Sequence, residues 1–66
     1  MIIYKVSIVV ADGSHPGAIL NLDEKPEVGK TLQINGQLFT IQEIIELMPP
    51  RGKFCYLHLT CLPKEM

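Results

Sequence analysis

An Asn-Gly pair between two alternating segments constrains the fold of this chain more than any other feature. Asn35 and Gly36 suit the two central positions of a type I′ turn, where both residues need φ > 0. Such a turn fixes which residues of the flanking strands face each other. Four apolar residues then share one side of the hairpin: Leu32, Ile34, Phe39 and Ile41. The pattern predicts an antiparallel hairpin with one buried face and one exposed face.

Other segments show the same alternation with period two. In residues 2–11, Tyr4 and Val6 point one way while Lys5 and Ser7 point the other. In residues 54–61, the natural core face is formed by Cys55, Leu57, Leu59 and Cys61. We expect strands near residues 2–11, 18–22, 30–34, 38–47 and 54–61. Together they predict an all-β fold, a small five-stranded antiparallel barrel formed by residues 1–66 as one domain.

Residues 41–48 allow two interpretations. Four apolar residues have the spacing of a helical stripe: Ile41, Ile44, Ile45 and Met48. The β-branched residues favour a strand, and no good N-cap follows the hairpin. We therefore expect a strand, with Glu43 at a bulge or edge. The alternative is an α+β fold with a short helix at 41–48. Residues 48–53 are expected to be a loop, because Pro49 and Pro50 lack backbone donors.

Cys55, His58 and Cys61 resemble a metal-ligand cluster, but strand geometry separates them. In an extended segment Cys55 and His58 point to opposite faces, and the two cysteines lie about 20 Å apart. One zinc ion cannot span that distance, and neither can a disulfide. We expect two buried, reduced thiols and no metal or cofactor.

Other titratable residues support no catalytic site. His15 and His58 approach each other only if the two edges of the barrel meet, and otherwise both are surface histidines. Glu43 and Glu46 diverge on a strand. A chain of 66 residues hardly encloses a pocket of the size that active sites use. We therefore expect no enzyme and no catalytic residue.

Composition bounds the partners. The net charge of −1 gives no electrostatic footprint for nucleic acid or for an anionic membrane.

No segment has the pattern of a targeting peptide or the length of a bilayer span, so a cytoplasmic location is expected. The chain is 47% hydrophobic, which is more apolar surface than one small core needs, and a homodimer would cover the excess.

The best candidate for an interaction site lies near the start of the last predicted strand. Aromatic residues stand beside a small basic tip there, and such a pair can grip a peptide or stack on bases. The candidate binding residues are Arg51, Lys53, Phe54, Tyr56 and His58. The alternative is that both rings fill one end of the barrel.

Residues 28–41 resemble a pattern of small SH3-like β-barrels, Val-Gly-Asp-x-Val-x-Ile-x-Gly-x-x-Tyr-x-Val, with Lys30 in place of the usual acidic residue. The resemblance covers about a quarter of the chain and implies a fold more than a function. The whole chain is also similar to short bacterial proteins of unknown function, from which no residue role follows.

We expect a non-catalytic interaction module that binds a protein partner through a strand edge or through the corner at residues 51–56. A nucleic-acid-binding barrel that uses the same corner is the alternative. A metal- or thiol-dependent activity is a third, weaker hypothesis.

Overall fold

A computed structural model describes residues 2–64 of the chain, and for residues 49–51 it describes the backbone alone. The described residues form an all-β fold without helices. The five strands are β1 (Ile3–Val10), β2 (Ala18–Leu22), β3 (Thr31–Ile34), β4 (Gln37–Arg51) and β5 (Phe54–Pro63). No helix suited to crossing a membrane is therefore present between residues 2 and 64.

The strands form one mixed sheet in the order β2-β1-β5-β4-β3, curled into a half-barrel. β1 and β5 pair in parallel, whereas the other three pairs are antiparallel. The predicted antiparallel barrel is therefore confirmed only in part, because the fold is all-β with five strands but the sheet is mixed. Parallel neighbours need a long crossover connection, and here the whole of β2 to β4 supplies it. The alternation of residues does not show whether two strands from opposite ends of a chain pair in parallel or antiparallel.

The hairpin predicted from Asn35 and Gly36 is confirmed. Their φ values are 50° and 80°, as a type I′ turn requires. The register is also as expected, since Leu32 faces Phe39 and Ile34 faces Gln37.

The core lies on the concave side of the curled sheet and is formed by the predicted alternating residues. Its buried members are Val6, Ile8, Val10, Phe39, Ile41, Cys55, Leu57, Leu59 and Cys61. The half-buried Leu20, Leu22, Leu32 and Ile34 pack against it from the outer strands β2 and β3. Both faces of β5 therefore follow the alternation in the sequence, with the two cysteines inside.

Residues 41–48 belong to β4, so the helical alternative was wrong. A bulge between Ile41 and Glu43 inserts one extra residue. Ile41 and Ile44 consequently both face the core side, opposite Cys61 and Leu59. A bulge of one residue converts the spacing of two into the spacing of three that a helix shows.

The loop predicted at residues 48–53 is shorter than expected. β4 continues to Arg51, which pairs with Phe54, and only Gly52 and Lys53 form the turn. Register shifts interrupt the ladder at residues 46–48 and again at residues 48–51. Pro49 and Pro50 fall within the second interruption of this edge strand, and sheets tolerate proline at edges and bulges.

Candidate functional site

Five residues on the outer face of β1 and β5 form what we call the outer patch: Lys5, Ser7, Phe54, Tyr56 and His58. The parallel pairing places Lys5 beside Tyr56 and Ser7 beside His58. All five side chains are half-buried. Three of the five predicted binding residues, Phe54, Tyr56 and His58, therefore lie on one face of one strand.

Two contacts organise the outer patch. The Lys5 ammonium lies 5.2 Å from the centroid of the Phe54 ring, within the range of a cation–π interaction. Ser7 Oγ and His58 Nδ1 share a hydrogen bond of 2.8 Å. Because Nδ1 is engaged, the imidazole is held in one orientation on the sheet.

The basic tip predicted at residues 51–53 is only partly described. Lys53 lies exposed in the β4–β5 turn, while the side chain of Arg51 lies outside the described residues. Lys5, which is not among the predicted binding residues, contacts Phe54. Its outward direction followed from alternation, but its position beside Phe54 depends on the parallel pairing of β1 with β5.

The residues that resembled a metal-ligand cluster are not brought together. Cys55 and Cys61 are buried in the core, and His58 lies on the opposite face of the same strand. Burial raises the pKa of the Cys61 thiol, so this thiol is less nucleophilic than a free one. His15 contacts Phe39 edge to face at a centroid distance of 5.2 Å, on the core side of the sheet and away from His58.

Asp12, Ser14 and His15 gather in the β1–β2 turn, but their hydrogen bonds define a turn and not a catalytic triad. Asp12 Oδ1 accepts a bond of 2.9 Å from the Ser14 N–H, and Ser14 Oγ shares one of 2.8 Å with His15 Nδ1. Bonds from the Ser14 hydroxyl and then the Ser14 N–H lower the pKa of Asp12. In a triad the carboxylate would orient the imidazole, whereas Asp12 bonds Ser14.

The free side of β2, which we call the β2 edge, lies next to the outer patch. Ile3 N–H donates to Lys53 O and Ala11 N–H donates to Cys61 O, so the odd-numbered residues of β1 bond β5. The even-numbered residues then bond β2, with Val6 opposite Leu20. Backbone groups alternate in direction along a strand. Ile19 and Asn21 consequently direct their N–H and C=O groups away from the sheet.

The β2 edge lacks two of the usual protections against pairing. Its sequence, Ala-Ile-Leu-Asn-Leu, contains no charge and no proline. Ile19 is 81% exposed, more than any other large apolar residue described. Ser7 of the outer patch faces Ile19 across the ladder, so the edge and the patch form one continuous surface.

An open cleft of about 360 Å³ lies beyond the end of β2. Its apolar walls are Leu22, Leu32 and Ile41, and its rim carries the charged residues of the β2–β3 connection. Pro26 from this connection is buried, so the chain itself covers this end of the core.

The chain matches no family model, no curated protein and no solved structure.

Proposed function

We propose that this chain is a non-catalytic interaction module that binds an extended protein segment by strand addition at the β2 edge. In strand addition, backbone hydrogen bonds supply affinity, and alternate side chains supply specificity. The observation that carries the proposal is Ile19, an exposed apolar residue on an uncharged edge with outward backbone donors and acceptors.

An added strand would meet two different environments. Side chains on the core side would extend the apolar surface of Leu20 and Leu22, which are half-buried at the margin of the core. Side chains on the outer side would lie beside Ile19 and Asn21, next to Lys5 and Ser7 of the outer patch. A segment with alternating apolar residues fits both faces.

The proposal includes features that the sequence suggested. The hairpin pattern of residues 28–41 supports a small barrel of SH3-like type. Two thiols held on a strand where they cannot pair fit a reducing compartment, which supports a cytoplasmic location. The role we propose needs no metal, cofactor or catalytic group.

A nucleic-acid-binding barrel is the second candidate, and the outer patch is the observation in its favour. Lys5, Phe54 and Tyr56 combine a cation with two rings, a pattern that stacks on bases. The net charge of −1 opposes it, because phosphate contacts dominate such affinity. Binding to a pool of random RNA or DNA that weakens with salt would favour this candidate. Absence of binding at low salt would remove it.

Selection from a library of random peptides tests strand addition directly. We expect the selected peptides to alternate apolar and polar residues, and to lose binding to the Ile19→Pro variant. That substitution removes an outward N–H without touching the ladder to β1, where an edge proline is tolerated.

The matched control is Gln33→Pro on β3. Lys64 N–H donates to Leu38 O and Ile41 N–H donates to Lys30 O, so Gln33 also directs its N–H outward. Peptides that bind the Ile19→Pro protein as tightly as the original would contradict the proposal. Circular dichroism checks that each variant is folded, and Ile19→Lys provides a second variant that keeps the N–H.

A further inference from the structure

We infer that the strand added at the β2 edge is the β2 strand of a second copy of this chain, paired antiparallel about a two-fold axis at Leu20. This inference rests on the proposed function and names its partner. It follows from the register of the edge, the charges at its two ends and the apolar surface that the single chain exposes.

The outward backbone groups of β2 match those of a second β2 strand in one register. A two-fold axis at Leu20 places Ile19 opposite Asn21 of the second copy, and Asn21 opposite its Ile19. These are the residues whose N–H and C=O groups point outward. Two directly opposite residues of this kind exchange two hydrogen bonds. Four bonds therefore form, and every outward group of Ile19 and Asn21 on both copies has a partner.

The side chains agree with this register. Leu20 meets Leu20 of the second copy as a non-hydrogen-bonded pair, in which side chains approach most closely. The contact lies on the core side, where Leu20 already packs at the margin of the core. On the outer side, the exposed Ile19 gains a neighbour at Asn21 of the second copy.

Charge favours the antiparallel arrangement. Asp23 and Glu24 follow β2, whereas the uncharged Pro16 and Gly17 precede it. The two-fold axis places the acidic end of one copy beside the uncharged end of the other. A parallel pair would set the two acidic ends side by side, at a cost from like-charge repulsion.

The short length of β2 limits the strength of this contact. A pair of five-residue strands buries less than the roughly 1,200 Å² of a standard stable interface. We therefore expect a reversible dimer with a dissociation constant in the micromolar range.

Sedimentation equilibrium from about 10 μM to about 1 mM spans that range. We expect the original protein and Gln33→Pro to dimerise alike, and Ile19→Pro to weaken the dimer on the order of tenfold to a hundredfold. A monomer at all concentrations, or an unchanged dimer with Ile19→Pro, overturns the inference. If peptides selected from the library still need the β2 edge, the proposed function stands and the partner is a foreign strand.

Disulfide trapping tests the register. Leu20→Cys places two thiols on the axis, where Cα atoms of a non-hydrogen-bonded pair lie about 4.5 Å apart, within reach of a disulfide. Ile19→Cys places its two thiols diagonally, beyond about 7 Å. In a glutathione buffer we expect a linked dimer with Leu20→Cys and little with Ile19→Cys, and the original protein controls for Cys55 and Cys61. Equal linking of both variants overturns the two-fold axis at Leu20.

Discussion

The β2 edge and the outer side of β4 at residues 42–51 are both unpaired in the described part of the chain, yet they are built differently. Beyond Ile41, β4 pairs with β5 alone. That stretch contains Glu43, Glu46 and two prolines, and its ladder is interrupted by three register shifts. The β2 edge pairs with β1 in an unbroken register and contains no charge.

This difference shows that exposed apolar side chains do not by themselves make a strand edge available for pairing. Ile45 and Leu47 on β4 are 47% and 56% exposed, so apolar surface alone does not distinguish the two edges. Bulges twist a strand away from a partner, and charges or prolines make pairing costly. β4 therefore exposes apolar side chains on a backbone unsuited to pairing, whereas β2 exposes a regular backbone that accepts a strand.

The largest effect is expected from Gly17→Ala, which perturbs the attachment of β2 to β1. A Cβ at this position would lie 2.5 Å from the backbone oxygen of Ile8. Backbone atoms in a ladder cannot yield, so we expect a loss of about 1–3 kcal/mol in the free energy of unfolding. Urea denaturation measures it.

Gly13→Ala in the same turn is the control. A Cβ there meets nothing within 4 Å, although the φ of +70° is unfavourable for alanine. We expect a cost of about 1 kcal/mol from this strain alone. If Gly17→Ala costs no more than Gly13→Ala, the close approach of the two strands does not hold the β2 edge in place.

The next largest effect on stability is expected from Cys61, which lies in the core. This residue faces Val10 of β1 and Ile41 of β4, so it packs beneath both neighbouring strands. Burial raises its pKa above the ordinary value of 9.0. The neutral thiol therefore contributes stability that is fully present below about pH 9 and is lost as pH rises further, by less than about 1.4 kcal/mol per pH unit.

Urea denaturation between neutral and alkaline pH checks this contribution. Cys61→Ala lowers stability at all pH values, because it leaves a small cavity. Its curve should nevertheless fall less steeply above pH 9 than that of the original protein. Parallel curves would show that the ionisation of Cys61 is not linked to folding.

Much of this architecture could be predicted from local signals. The hairpin depended on two turn residues, and the core faces depended on alternation, which a strand imposes on every side chain. The parallel pairing of β1 with β5 could not be predicted, because it joins segments more than forty residues apart. For the same reason Phe54, Tyr56 and His58 were found as candidates, while Lys5 and Ser7 were missed.

The bulge after Ile41 shows a second limit. It moves Ile44 to the core side, so the sequence carries the spacing of a helix within a strand. The prediction that Glu43 lies at a bulge or edge is confirmed, but the extent of the free edge over residues 42–51 was not predicted, since it depends on where β3 ends relative to β4. Local patterns therefore predicted which residues are buried more reliably than which strand edges are free.

A smaller effect on stability, but a clear one on association, is expected from Glu43→Val. Glu43 is exposed, so the free energy of unfolding should change by no more than about 0.5 kcal/mol. Loss of this charge leaves residues 42–48 with a more apolar edge, and we expect stronger light scattering at high concentration. In the double variant with Ile19→Pro, the added scattering should persist, because it arises at β4. If it disappears, the two edges do not act separately.

The smallest effect is expected at Asp12, whose turn connects β1 to β2. Bonds from Ser14 lower the pKa of this exposed carboxyl below 3.8, so the ionised form contributes stability above that pH. The contribution is lost as pH falls through the lowered pKa. Asp12→Asn keeps an acceptor oxygen for the Ser14 N–H but cannot titrate, so its unfolding midpoint in urea should fall less than that of the original protein below pH 4. Identical acid profiles would mean that the charge of Asp12 does not stabilise the turn, and that the β2 edge is positioned by its ladder to β1 and by Gly17.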